Sequence, residues 1–234
     1  MNLFFLVEGR RTEPRVYDAW VKHTFPQLRK VKYAVDADTD CYCIFSGNGY
    51  PAYRHRLKSA FEEIGDYPVI DHFFLCVDSE GVSYDRRVAE EWRVMAELAK
   101  ETSLFEKNSR VELHLIVQRC CIETWFLGNR KMLKDTSLSP QLAEMRRFYD
   151  VGELDPELMC KPEGCVTRAN YHLAYLKEML REQGKNYSKE LPGVVKERDY
   201  LDALRERCAS TGHLGSLSGL LSIWARLSET SPTK

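Results

Sequence analysis

The chain has 234 residues, 44% of them hydrophobic and 29% charged, with 34 basic against 35 acidic side chains and a net charge of −1. That composition carries no disordered signature, and the balanced charge argues against a non-specific nucleic-acid coat while leaving room for a local basic groove. No stretch approaches the length of a bilayer span, and Met1-Asn2-Leu3 opens without the basic region or cleavage site of a signal peptide, so a cytoplasmic protein is expected.

The first element is the apolar run Leu3–Val7, which reads as a strand buried on both faces. It ends in Glu8-Gly9, followed by Thr12-Glu13-Pro14. Thr12 is the expected N-cap of a helix reaching about His23, with Pro14 in its first turn and Glu13 at the positive end of its dipole. Glu8 therefore belongs at the carboxyl end of a strand, where open α/β sheets bind ligands. Two readings stay open for it: an ion pair with Arg10 or Arg11, or a cation site of clustered carboxylates.

Tyr33–Val35 and Asp40–Phe45 are candidate strands, separated by Asp36, Asp38 and Asp40, an acidic group better read as a solvated loop than as a metal contact. Pro51 opens a helix to about Gly65 whose basic face carries Arg54, Arg56 and Lys58. Val69–Val77 is a second buried strand, and it too ends in acids, Asp78-Ser79-Glu80. Tyr84–Glu101 is helical, with Val88, Trp92, Met95, Ala96 and Ala99 as its apolar stripe. Arg110–Val117 is a third strand, followed by Arg119 and by Glu123 inside an apolar helical segment. A carboxylate there needs coordination or a salt-bridge partner.

From residue 131 onward, polar and proline-containing pieces separate helices near residues 140–149, 167–183, 195–208 and 213–227. The expectation is a mostly parallel, Rossmann-like α/β domain over 1–130 and a helical C-terminal subdomain over 131–234. Lys189 falls in a loop of this second part, either solvated or reaching a phosphate. The eight cysteines include several in apolar runs, as buried reduced thiols of a cytosolic protein do. Cys160 and Cys165 could form half a zinc knuckle, but no second half is evident, and free thiols are the preferred reading.

The order Val7-Glu8-Gly9, Asp78-Ser79-Glu80, Ile122-Glu123-Thr124-Trp125 resembles the Toprim domain, and most nearly its small RloB-like and OLD-type nuclease members. Thr12-Glu13-Pro14 with Tyr17, and later Tyr187-Ser188-Lys189, are similar to elements of the same group. Asp78-Ser79-Glu80 departs from the usual Asp-x-Asp by one methylene. The resemblance implies a Toprim fold and a Mg²⁺- or Mn²⁺-dependent hydrolase, an endonuclease acting on DNA or on RNA such as tRNA in bacterial anti-phage defence. An ABC- or AAA-type ATPase would be encoded alongside; no membrane is involved, and a homodimer is left open. By the same resemblance Glu8, Asp78 and Glu80 ligate metal. Glu13 and Glu123 hold a second ion or act as base, and Lys189 steadies the phosphate in the transition state. Arg10, Arg11, Arg119 and the Arg54, Arg56, Lys58 face contact nucleic-acid backbone. The alternative from a different class is a non-catalytic or partner-activated regulatory subunit of an ATPase-containing defence complex. A Rossmann-like phosphotransferase is disfavoured, because the sequence has neither Gly-x-Gly-x-x-Gly nor a phosphate loop with lysine.

Overall fold

Asn2–Val7 form β1, and all six residues are buried. A strand dry on both faces belongs inside a sheet, not at its edge. The computed structural model, which describes residues 1–133 and 138–230, places it there. A five-stranded parallel sheet runs in the order β2-β3-β1-β4-β5, with β2 at Arg29–Lys30, β3 at Cys41–Ser46, β4 at His72–Asp78 and β5 at Glu112–Gln118. The α/β expectation is met. Of the helical subdomain expected over 131–234, residues 134–137 and 231–234 lie outside the described residues.

The chain divides into two compact units. The first comprises Met1–Val77, Tyr84–Val117 and the described residues from Leu227; the second comprises Asp78–Ser83 and Gln118–Arg226. The division thus falls at the carboxyl ends of β4 and β5, before residue 130.

In the first unit, α1 (Thr12–Thr24) links β1 to β2, α2 (Ala52–Asp66) carries the chain from β3 back past β1 to β4, and α3 (Tyr84–Glu101) and the short α4 (Leu104–Lys107) lead to β5. The winding direction reverses across β1, so right-handed crossovers put α1 on one face of the sheet and α2 and α3 on the other. The switch point lies between β1 and β4. Alternation along β1 supplies both faces. Phe4 and Leu6 join Phe73, Leu75, Leu57, Phe61, Ile64 and Met95 in one core cluster. Phe5 stacks on Phe74 (4.5 Å between centroids) and lies 6.0 Å from the Tyr17 ring of α1.

Three local expectations are corrected. Tyr33–Val35 is not a strand: Ala34–Asp36 form a 3-10 turn, because the Tyr33 N–H donates to Asp36 and the Ala34 N–H to Glu63. Side-chain acceptors at this spacing outcompete a ladder. Pairing occurs earlier, at Arg29–Lys30, where Arg29 meets Asp38 and Lys30 meets Asp18. Second, Thr12 is the first helical residue of α1, with Arg11 in the N-cap position. Third, the buried stripe of α3 is Arg87, Glu91, Met95 and Ala99, whereas Trp92 and Ala96 are exposed. A buried ion pair, invisible to hydrophobic periodicity, holds two of those positions.

The second unit is helical: α5 (Ile122–Phe126), α6 (Pro140–Phe148), α7 (Arg168–Arg181), α8 (Arg198–Thr211) and most of α9 (Gly215–Thr230). Ser139 and Thr167 cap α6 and α7 through their hydroxyl oxygens, and Gly212, at φ 70°, ends α8. The buried Arg207 guanidinium donates through its two terminal nitrogens to the carbonyls of Gly128, Val151 and Leu154, which offset most of the cost of burying its charge.

Candidate active site

In the first unit the backbone around Glu8 is anchored on both sides of the switch point. The Glu8 N–H donates to the Cys76 carbonyl of β4 (2.8 Å), while Gly49 N–H donates to the Glu8 carbonyl (2.8 Å) and Gly47 N–H to that of Val7 (2.7 Å). The Ser46 hydroxyl donates to the Gly9 carbonyl at 2.9 Å. The half-buried Glu8 side chain is therefore mounted on a rigid turn. Glu13 folds over that turn, 8% exposed, and a Cβ built on Gly9 would lie 2.0 Å from its Oε2. The Glu-Gly dipeptide thus has a packing reason: a Cβ at position 9 obliges the Glu13 carboxylate to move. Burial pushes the Cys76 thiol up to about 12, and the Glu13 charge adds to the shift. Arg10 and Arg11 are exposed beside this turn.

The basic face expected on α2 is engaged by α3. Arg54 donates to Glu90 (2.5 Å) and to the fully buried Glu91 (3.0 Å), which also accepts from Arg87 (3.2 Å). Lys58 pairs with Glu101 at 2.5 Å, and Arg56 is exposed. An open cleft of about 510 Å³ runs between Arg54, His55 and Lys58 on one side and Glu97 and Glu101 on the other.

In the second unit, Asp78, Ser79 and Glu80 are latched to the segment that follows β5. Ser79 N–H donates to the Gln118 carbonyl and Glu80 N–H to that of Cys120, both at 3.0 Å. The Ser79 hydroxyl oxygen accepts the Cys120 N–H at 2.8 Å. The latch holds Glu80 at φ 32° and Cys120 at φ 79°, both in the left-handed region that side chains seldom adopt. Asp78 is half-buried and Glu80 exposed.

Glu123, on α5, is 1% exposed. It accepts the Tyr187 hydroxyl at 2.9 Å, and the Lys189 ammonium lies 3.8 Å away. Two parts of the Tyr187-Ser188-Lys189 element thus serve one carboxylate, so Lys189 is not simply a solvated loop lysine. Its neighbour Thr124 donates to His172 Nδ1 (2.7 Å), while His172 Nε2–H donates to the Met159 carbonyl (3.1 Å), the tautomer that satisfies both contacts. Burial depresses His172 to about 4. Arg119 lies 3.6 Å from Glu157, whose carboxylate also receives the Ser216 N–H at the start of α9. Tyr187 entered the reading only through its motif with Ser188 and Lys189, and neither Glu157 nor His172 was singled out by sequence pattern. Glu157 and His172 are buried polar groups in helical stretches, positions that periodicity assigns to the core without revealing their chemistry.

Glu8 in the first unit, and Asp78 and Glu80 in the second, are carboxylates at half-buried or exposed positions, each a hard oxygen donor of the type Mg²⁺ or Mn²⁺ takes. Among the described residues, three ligand atoms within 4.8 Å of one another occur in two groups, Cys120-Cys121-His172 and His72-Glu112-His114, neither of which includes the predicted acids. All eight cysteines are reduced; Cys160 is exposed and Cys165 half-exposed, and neither joins such a group. Among the described residues no helix is long and apolar enough to cross a membrane. Comparison with protein-family models, with curated proteins and with solved structures finds no match.

Proposed function

We propose that the chain is a metal-dependent phosphodiesterase of the Toprim type that cuts nucleic acid. The observation that carries this reading is the position of Glu8. It is the first residue beyond the central buried strand, at the switch point where parallel α/β sheets place their ligands. The two strands that follow on that side of the sheet, β4 and β5, lead likewise into acidic segments, Asp78-Ser79-Glu80 and the turn to Glu123.

Glu8, Asp78 and Glu80 are the proposed holders of Mg²⁺ or Mn²⁺. A bound cation of this kind polarises the scissile phosphate and lowers the pKa of a coordinated water. Glu13, seated against Gly9, keeps a second carboxylate close to the Glu8 turn and is the proposed holder of a second ion or the base. Glu123, oriented by Tyr187, holds the Lys189 ammonium near an acid-bearing segment, where it can offset charge building on a phosphate. The exposed Arg10 and Arg11 are the first candidates for backbone phosphate contacts. A role in anti-phage defence beside an ATPase belongs to the same proposal, and rests on the resemblance of the motifs.

One observation favours the regulatory alternative. Arg54 and Lys58 are already committed to carboxylates of α3, which removes them from a ready-made polyanion groove. The deciding experiment is cleavage of plasmid DNA and bulk tRNA by the purified chain with Mg²⁺, Mn²⁺ or EDTA, beside Glu8→Ala and Asp78→Ala. Metal-dependent cutting lost in both variants supports the nuclease and identifies its polymer. A folded wild type that cuts neither substrate supports the partner-activated subunit instead.

A further inference from the structure

The amino-terminal ends of β4 and β5 lie at the opposite end of the sheet from the Glu8 turn, and they carry a different set of ligands. Strand alternation puts Glu112 and His114 on one face of β5, and β4 begins at His72. We propose that His72, Glu112 and His114 bind a divalent transition-metal cation of the zinc class. This inference is independent of the nuclease reading.

The geometry is the first argument. His72 Nδ1 lies 3.2 Å from His114 Nε2 and 3.4 Å from Glu112 Oε2. Zinc bound tetrahedrally at about 2.0–2.1 Å has ligand-to-ligand edges of about 3.3–3.4 Å. Both separations match that edge. An imidazole–imidazole hydrogen bond accounts for the first contact alone. A neutral Nδ1 carries at most one hydrogen, so it cannot donate to the histidine and the carboxylate together. A cation among the three accepts one lone pair from each.

Rigidity and access are the second. The His114 ring stacks on Phe74, with centroids 4.4 Å apart and planes 25° from parallel, which fixes the direction of its nitrogens. His114 is 5% exposed and His72 16%, while the Glu112 side chain is 49% exposed. A metal would enter on the Glu112 side, and three protein ligands leave the fourth tetrahedral position to water. Two imidazoles and one carboxylate favour zinc over magnesium, which takes oxygen ligands. The fully buried Cys120-Cys121-His172 group is the weaker candidate, because both His172 nitrogens already have hydrogen-bond partners.

The test is zinc titration of the chelator-dialysed chain against a chromophoric competitor, with metal content measured directly and circular dichroism as the check of folding. One zinc per chain is expected. His72→Gln and Glu112→Gln should each weaken it at least tenfold, the lower end of what even an outer-shell change costs. Glu112→Gln conserves volume at a half-exposed side chain, so it keeps the test valid where a histidine variant misfolds. Cobalt in place of zinc should give the intense visible absorption of a tetrahedral site, lost in the same variants. Glu8→Ala/Asp78→Ala and Cys120→Ser/Cys121→Ser should retain the zinc. The proposal is overturned if the wild type takes up no stoichiometric zinc, if affinity is unchanged in His72→Gln and Glu112→Gln, or if zinc is lost only in the acid or cysteine variants.

Discussion

Replacing Gly9 by alanine puts a methyl group on the seat of Glu13. The three atoms nearest the new Cβ all belong to that carboxylate, at 2.0, 2.2 and 2.2 Å. Backbone strain is not the issue, since Gly9 is absent from the positive-φ positions. The side chain has to leave a place where it is 92% buried, since 8% of it is exposed, and it abandons its partners there. Displacing one hydrogen-bonded buried group costs about 1–3 kcal/mol. For a chain of this size each kcal/mol lowers the melting temperature by roughly 2–4 °C, so a drop of about 2–12 °C is expected. Thermal and urea melts of Gly9→Ala, Glu13→Ala and the double variant form a complete cycle. In the Glu13→Ala background the methyl group has nothing to strike, and Gly9→Ala should cost under about 0.5 kcal/mol there. Equal cost in both backgrounds would refute the idea that Gly9 exists to admit Glu13.

Tyr187→Phe removes one donor from the buried Glu123 and should destabilise by about 1–3 kcal/mol in urea melts, with Lys189 as the remaining partner. His172 is neutral in the fold down to about 4, whereas in the unfolded chain it takes a proton at its ordinary value of 6.5. The unfolded state therefore binds more protons between those values, and stability should fall by about 3 kcal/mol as pH drops from 6.5 to 4. Comparing urea midpoints at pH 7 and 4.5 for wild type and His172→Gln isolates that contribution, which should shrink in the variant. If the exposed arginines carry phosphate contacts, Arg10→Ala/Arg11→Ala should flatten the salt dependence of nucleic-acid binding by about 2 in log–log slope, with Lys58→Ala leaving it unchanged.

The buried strands were legible because apolar residues ran without interruption: Leu3–Val7 and the β4 core could be nothing but interior. The acids that follow them were legible for the same reason, since Glu8 and Asp78 end runs that tolerate no charge. The α3 stripe was not, because Arg87 and Glu91 neutralise one another against Arg54, and periodicity scores both as surface. Arg54 and Lys58 looked like a free basic face for the matching reason: their carboxylates stand on another helix, far along the chain. His72, Glu112 and His114 show the limit most clearly. Glu112 and His114 stand two residues apart on β5, and their third member arrives only through the order of the strands.

One edge of the sheet ends in β2, a strand of two exposed basic residues, Arg29 and Lys30, whose charges are held by Asp38 and Asp18. A strand this short offers an incoming chain almost no ladder to extend, and the charges make a flat hydrophobic docking of strand on strand costly. On this side the protein is guarded against edge-to-edge polymerisation and amyloid-like stacking. Concentrated solutions should not gel by sheet extension there, and mutating Arg29 and Lys30 to threonine or valine would convert a colloidal safeguard into a sticky end.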